Sequence, residues 1–75
     1  MTLKDGHIGR NYIVKKSNLE PLVKQRLEAL GLIDGTKIQL LNQNTDGAVI
    51  FKVRGTRLAV GERIAEQIYI EEVAV

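Results

Sequence analysis

The chain contains no cysteine and no tryptophan, and only one proline and one histidine. Without cysteine it can form no disulfide framework, no cysteine-ligated zinc site and no thiol nucleophile. No segment approaches the ~18 consecutive apolar residues of a membrane-spanning helix, and the first ten residues lack the apolar stretch of a secretory signal. We therefore expect a soluble, cytoplasmic protein.

Length and charge narrow the class of protein further. The 75 residues are enough for one small domain, residues 1–75, with a single core. The net charge is only +2, a weak electrostatic signal for nucleic-acid binding. A chain of this size has little core to spare, so we expect nearly every large aliphatic side chain inside and no deep enzymatic pocket.

One substantial helix is predicted over residues 17–30. Its apolar side chains follow a helical spacing, at Leu19, Val23, Leu27 and Leu30. Two starts fit the sequence: a capping box that begins at Ser17, or Pro21 at the first helical position. Gly31 is expected to end the helix in a left-handed conformation, with Leu32 folded back onto Leu27 as in a Schellman motif.

The rest of the chain alternates apolar and polar residues, which indicates strands. The predicted elements are a strand within residues 7–16, strands at 36–43 and 48–54, a two-residue hairpin loop at 55–56, a helical turn at 61–66 and a last strand at 67–73. Gly55 at the first loop position favours a type II′ turn. That register places Val53 opposite Leu58, Phe51 opposite Val60 and Arg54 opposite Arg57. We predict a mostly β fold, a small SH3-like barrel of about five strands with one helix inserted after the first strand and a short helical turn before the last.

A stretch around the helix end carries a family resemblance. Residues 26–35 read RLEALGLIDG, which resembles the signature R-L-x-x-L-G-L-x-x-G of the FeoA family of small ferrous-iron transport proteins. The likeness covers residues 18–73 and continues in register through Ile38, Gly55, Ala59, Ala65, Ile68 and Ile70. The sequence is also similar to the C-terminal SH3-like domain of DtxR-type metal-dependent repressors. Most of the matching positions are expected to have structural roles, in ending the helix, in the core or in turns. The structural positions of the motif are Leu27, Gly31, Gly35 and Gly55.

The resemblance implies a non-catalytic accessory or regulatory protein of ferrous-iron uptake. Members of the family are thought to act on the FeoB permease, which carries a cytosolic GTPase domain. We therefore expect docking on the cytosolic part of a FeoB-type permease, so that this chain meets a membrane only through its partner. A label of transition-metal binding would follow from the transport context or from the repressor relatives.

Neither catalysis nor metal binding finds support in the residues. His7 is the only histidine and no serine, carboxylate and histidine cluster suggests itself. Ferrous iron favours histidine and carboxylate ligands, but a second histidine is missing. Glu71 and Glu72 are adjacent on a strand and so point to opposite faces. We expect no enzyme, no cofactor and no metal ligands on this chain.

Two surfaces are candidates for partner binding. The first is a basic cluster on one hairpin, Lys52, Arg54 and Arg57; the alternative is a solvated face neutralised by the glutamates of the acidic segment 61–75. The second is the end of the helix, with Arg26, Leu30, Leu32 and Ile33; the alternative places Leu30 and Leu32 in the core. Ile50 faces outward without an obvious partner and could favour weak homo-oligomers.

A different class of function is a small-barrel nucleic-acid-binding or metal-regulatory module. The same basic cluster would serve nucleic acid. Only three aromatic residues are present, Tyr12, Phe51 and Tyr69, and Phe51 is assigned to the core. Binding of single strands needs exposed rings for stacking, so no nucleic-acid partner is expected.

Overall fold

The computed structural model describes residues 1–73. It begins with a 3-10 turn (Leu3–Asp5) that was not predicted. The other elements follow the predicted order: β1 (Asn11–Ser17), α1 (Pro21–Ala29), β2 (Lys37–Gln43), β3 (Val49–Val53), β4 (Thr56–Val60), α2 (Glu62–Ala65) and β5 (Ile68–Glu72). The helix after the first strand and the short helix before the last confirm the predicted mostly β, SH3-like fold.

All five strands belong to one antiparallel sheet in the order β4-β3-β2-β1-β5. Two strands contain an extra residue relative to their partners, Lys15 in β1 and Leu41 in β2. Such bulges bend the strand that carries them and increase its twist. They allow a short sheet to curve around its own core while β4 and β5 remain its two ends.

The core lies on the inner face of this sheet. The predicted inward side chains of β2, β3 and β5 are all buried: Ile38, Leu40, Val49, Phe51, Val53, Ile68 and Ile70. Leu3 and Tyr12 are buried as well, and the Tyr12 hydroxyl accepts a hydrogen bond from the His7 backbone N–H at 2.7 Å. Leu3 was not predicted, because the first ten residues show no strand or helix periodicity.

The expectation that nearly every large aliphatic side chain lies inside was wrong. Leu22, Leu30 and Ile33 are 60%, 50% and 38% exposed, and Met1 and Ile8 are exposed too. No residue of α1 is buried, and only Leu27 of this helix and Leu19 before it are known to pack against the core. Leu3 and Tyr12 belong to the core instead, and Leu22 and Leu30 remain outside it.

The start of α1 and the β3–β4 hairpin differ from the main predictions. Ser17 ends β1, and the helix begins with Pro21 at its first position, the alternative start. The hairpin loop is Arg54-Gly55, with φ of 50° and 79°. Positive φ at both loop positions is the type I′ conformation. Phe51 therefore pairs with Leu58, and Lys52 rather than Arg54 lies opposite Arg57.

The N-terminal turn is held by Thr2 and Asp5, which gives a prediction on pH. The Thr2 backbone N–H and hydroxyl donate to the Asp5 carboxylate at 2.9 and 3.1 Å and hold the pKa of Asp5 below its ordinary value. A lowered folded-state pKa means that the stabilisation is present above about pH 3.9. It is lost as the pH falls through the lowered pKa. We expect an NMR titration of the Asp5 carboxyl carbon to give a midpoint below the ordinary one.

Thr2→Ala provides the matched variant for this titration. It removes the hydroxyl donor and keeps the backbone donor, so the pKa of Asp5 should move part of the way back. A midpoint at the ordinary aspartate value in the unmodified chain would contradict the assigned hydrogen bonds.

Candidate functional site

The end of α1 has the predicted Schellman geometry. Gly31 has a φ of +104°, the Leu32 N–H donates to the Leu27 carbonyl at 2.9 Å, and the Gly31 N–H donates to the Glu28 carbonyl at 3.0 Å. This pattern is the one that closes a helix through a left-handed glycine. It sends the side chain of Leu32 into the core, so Leu32 is not available to a partner.

The side chain of Arg54 lies over this helix end. A Cβ built on Gly31 would be 3.2 Å from Cδ of Arg54 and 3.9 Å from Cγ2 of Val53. The hairpin turn and the helix C-terminus, separate in the sequence, therefore meet at Gly31. Cγ and Cδ of Arg54 thus lie beside the residue that ends the helix.

We call this region the helix-end surface and define it by its exposed residues: Leu22, Arg26, Leu30, Ile33 and Arg54. The first three are spaced four residues apart, so they share one side of the helical path. Two arginines therefore accompany three large apolar side chains that the core does not use. A patch of apolar residues with charged neighbours is typical of protein-binding surfaces.

Lys52 and Arg57 lie elsewhere, in a shallow cavity on the outer face of the sheet. The cavity has a volume of about 320 Å³. We call it the basic groove and define it by its lining residues: Gln39, Leu41, Lys52, Gly55 and Arg57. Lys52 is paired with Gln39 on one side and with Arg57 on the other. The basic cluster predicted on one hairpin is thus divided, with Arg54 at the helix end and the other two cations in the groove.

The glutamates of the acidic C-terminal segment form ion pairs on another part of the surface. They pair with cations of the N-terminal region: Lys4 with Glu62 at 3.2 Å and Glu66 at 3.3 Å, Arg10 with Glu72 at 2.6 Å, and Lys15 with Glu71 at 3.7 Å. The two carboxylates beside Lys4 raise its pKa above the ordinary value. Within residues 1–73, none of these carboxylates is paired with a cation of the hairpin, which contradicts the alternative of a face neutralised by these glutamates.

Metal-ligating groups are dispersed over the described part of the chain. No three histidine or carboxylate side chains of residues 1–73 are grouped so that they could hold a metal ion. In the same residues, no helix is long and apolar enough to cross a membrane.

None of the three aromatic residues belongs to the helix-end surface or lines the basic groove. Tyr12 and Phe51 are completely buried. Tyr69 is half-buried, and the ammonium group of Lys16 lies 5.6 Å from the centre of its ring. The basic groove contains no ring on which a base could stack, so its chemistry suits an anionic group better than a nucleobase.

A family model described as the FeoA domain matches residues 1–72 of the chain. This chain belongs to the FeoA family. It is 33% identical over 64 residues to "Putative Fe(2+) transport protein A" of Methanocaldococcus jannaschii, an alignment that covers 85% of this chain and 77% of the relative. The match starts at residue 1 and so extends the resemblance beyond residues 18–73.

Solved structures of FeoA proteins have the same fold. The FeoA protein of Chlorobium tepidum superposes with a TM-score of 0.92 at 29% identity, over 99% of this chain and 71% of that one. A crystal structure of an iron uptake regulatory protein, FeoA, gives 0.86 at 27% identity over 97% of both chains. The manganese regulator SloR gives 0.82 at 28% identity, but this chain spans only 34% of it.

Within the FeoA family signature of residues 26–35, most positions have structural roles here. Leu27 packs against the core, Gly31 ends α1, and Gly35 has a positive φ in the following turn. Arg26 and Leu30 are different, because both are exposed. They are the two signature positions whose large side chains are exposed.

Three residues of these surfaces were not among the predicted site residues. Leu22 could have been found from the sequence, since it lies beside the apolar stripe of the helix rather than on it. Gln39 and Leu41 could not have been found from the sequence. Their position in the groove depends on the bulge at Leu41 and on the pairing of β2 with β3, which the alternation of side chains does not specify.

Proposed function

We propose that this protein is a non-catalytic, cytosolic accessory subunit of ferrous-iron uptake. In this proposal its helix-end surface docks on the cytosolic GTPase part of a FeoB-type permease. Membership of the FeoA family supports the assignment to iron transport. The observation that carries the docking surface is the group of exposed apolar residues at the end of α1, with Arg26 and Arg54 beside them.

The chemistry of this surface defines the partner's face. Leu30 and Ile33 are about half and one-third exposed, so each has apolar area to lose to an interface. Large aliphatic side chains surrounded by charge form the dry centre and polar rim of many protein interfaces. The partner should therefore present an apolar hollow with acidic residues at its margin, which would pair with Arg26 and Arg54.

A docked subunit can regulate the permease only if it binds two states of the permease with different affinities. A bound subunit shifts an equilibrium between two states only by binding one of them more tightly. Such a shift would change either the rate of nucleotide turnover or the opening of the pore. The first can be measured on the soluble GTPase domain alone, and the second requires the whole permease.

Arg54→Asp is the sharpest test of the helix-end surface. Asp-Gly is a preferred type I′ pair, and aspartate tolerates positive φ; this gain offsets the loss of the arginine at the helix C-terminus, so the thermal midpoint should change little. The new charge would meet an acidic rim, and we expect affinity for the permease's cytosolic domain to fall about tenfold or more. Isothermal titration calorimetry with ferrous iron and guanine nucleotide varied would measure it.

Arg63→Glu is the matched control, since it also reverses an exposed arginine. Arg63 lies in α2, beyond the end of β4 opposite to the hairpin turn, and its reversal should leave the affinity unchanged. Equal affinity of Arg54→Asp and the unmodified protein would exclude this surface. Equal losses in both variants would show attraction to overall charge instead of docking.

A further inference from the structure

The edge of the sheet formed by β4 has free backbone hydrogen-bonding groups. β4 pairs only with β3 and is the end strand of the sheet. Because the loop Arg54-Gly55 has two residues, Val53 and Thr56 form a hydrogen-bonded pair, and pairs alternate from there. The backbone N–H and C=O of Arg57 and Ala59 therefore point away from β3. Both residues are exposed.

The basic groove lies beside this edge. Arg57 belongs to both, since its backbone is on the open edge and its side chain lines the groove with that of Lys52. The two residues form a non-hydrogen-bonded pair, the kind with the shorter separation between strands. Like charges placed directly opposite repel each other. Among the described residues, no carboxylate is within ion-pair distance of either one.

We propose that an extended acidic segment of another protein adds to β4 as a sixth strand and places a carboxylate in the basic groove. The peptide's backbone would pair with the N–H and C=O of Arg57 and Ala59, as in other cases of strand addition. Side chains alternate along a strand. Acidic residues at every second position would therefore face Lys52 and Arg57. This site is separate from the helix-end surface and does not depend on it.

A second copy of this chain fits the edge less well. Two β4 strands pairing with each other would bring their Arg57 residues into one surface, where like charges oppose pairing. The acidic edge strand β5 is already engaged. Tyr69 forms a bridge with Thr2, and the Ile70 N–H donates to the Met1 carbonyl. Charge complementarity therefore favours a foreign acidic strand.

The test is an NMR titration with a synthetic peptide of about eight residues that alternates glutamate and valine, long enough to cover a short strand. We expect the amides of Arg57 and Ala59 to shift and to gain protection from hydrogen exchange. Lys52→Glu should weaken binding about tenfold or more, and Arg63→Glu, at the other end of β4, should leave it unchanged. A peptide with lysine in place of glutamate should not bind.

A second peptide separates strand addition from simple attraction of charges. N-methylation of its alternate backbone amides removes the donors needed for pairing and keeps every carboxylate, so it should abolish binding without any change to the protein. Equal binding of the methylated and unmethylated peptides would overturn the proposal, as would equally tight binding of free glutamate. Shifts confined to the helix-end surface would overturn it as well.

Discussion

Replacing Phe51 with alanine should destabilise the domain by about 3–5 kcal/mol, the usual cost of deleting a fully buried phenylalanine side chain. Phe51 is 0% exposed and lies in β3, paired with Leu40 of β2 and Leu58 of β4. A domain of this size has a total stability of about 4–11 kcal/mol. If the total stability lies at the lower end of this range, the variant should be largely unfolded at room temperature; at the upper end it should stay folded and unfold at a clearly lower urea concentration.

Urea denaturation followed by circular dichroism would measure this loss. Leu22→Ala is the matched control, since it removes an apolar side chain that is 60% exposed, and it should change the free energy of unfolding by no more than about 0.5 kcal/mol. Similar stability of Phe51→Ala and the unmodified protein would mean that the interior is not packed around this ring.

Replacing Gly31 with valine should cost about 2 kcal/mol or more, because a β-branched residue resists a φ of +104°. The new Cβ would also lie 3.2 Å from Cδ of Arg54, which would have to move. We therefore expect two results from one change, a lower unfolding midpoint and a displaced Arg54 side chain. NMR of the arginine side-chain resonances would detect the second.

Gly35→Val separates these two results. Gly35 also has a positive φ, +89°, but a Cβ there would meet no atom within 4 Å. It should lose about 1–2 kcal/mol from the backbone conformation and leave Arg54 in place. A Gly31→Val protein with unchanged stability would show that the helix does not end through a left-handed residue. An unmoved Arg54 in that variant would contradict its position over the helix end.

The parts of the fold that local chemistry determines could be predicted. Gly31 followed by Leu32 specified the helix stop, and alternation specified the buried face of β3. The register of the β3–β4 hairpin could not be obtained from alternation. The predicted and observed pairings differ by two residues, and a shift of two keeps every side chain on its own face. Only the turn decides between them, and Gly55 occupies the second position of the loop.

In the candidate site, too, some features could be predicted from the sequence and others depended on tertiary structure. The exposure of Arg26 follows from its place on the helix, and the family signature pointed to it. The partners of the C-terminal glutamates depend on tertiary structure, because Lys4 and Arg10 are far from Glu66 and Glu72 in the sequence. Their pairing decides which cations remain available, and the sequence alone could not show that Lys52 and Arg57 would be among them.

The pairing of β1 with β5 affects when the domain can fold during its synthesis. The first strand and the last strand are neighbours in the sheet, so the architecture closes only after nearly the whole chain is available. Non-local pairing of this kind is associated with folding in milliseconds to seconds rather than microseconds. On a ribosome, an N-terminal portion ending before β5 would have β1 exposed along one edge. We expect this domain to acquire its native structure after release of its last strand from the exit tunnel, in a single late step.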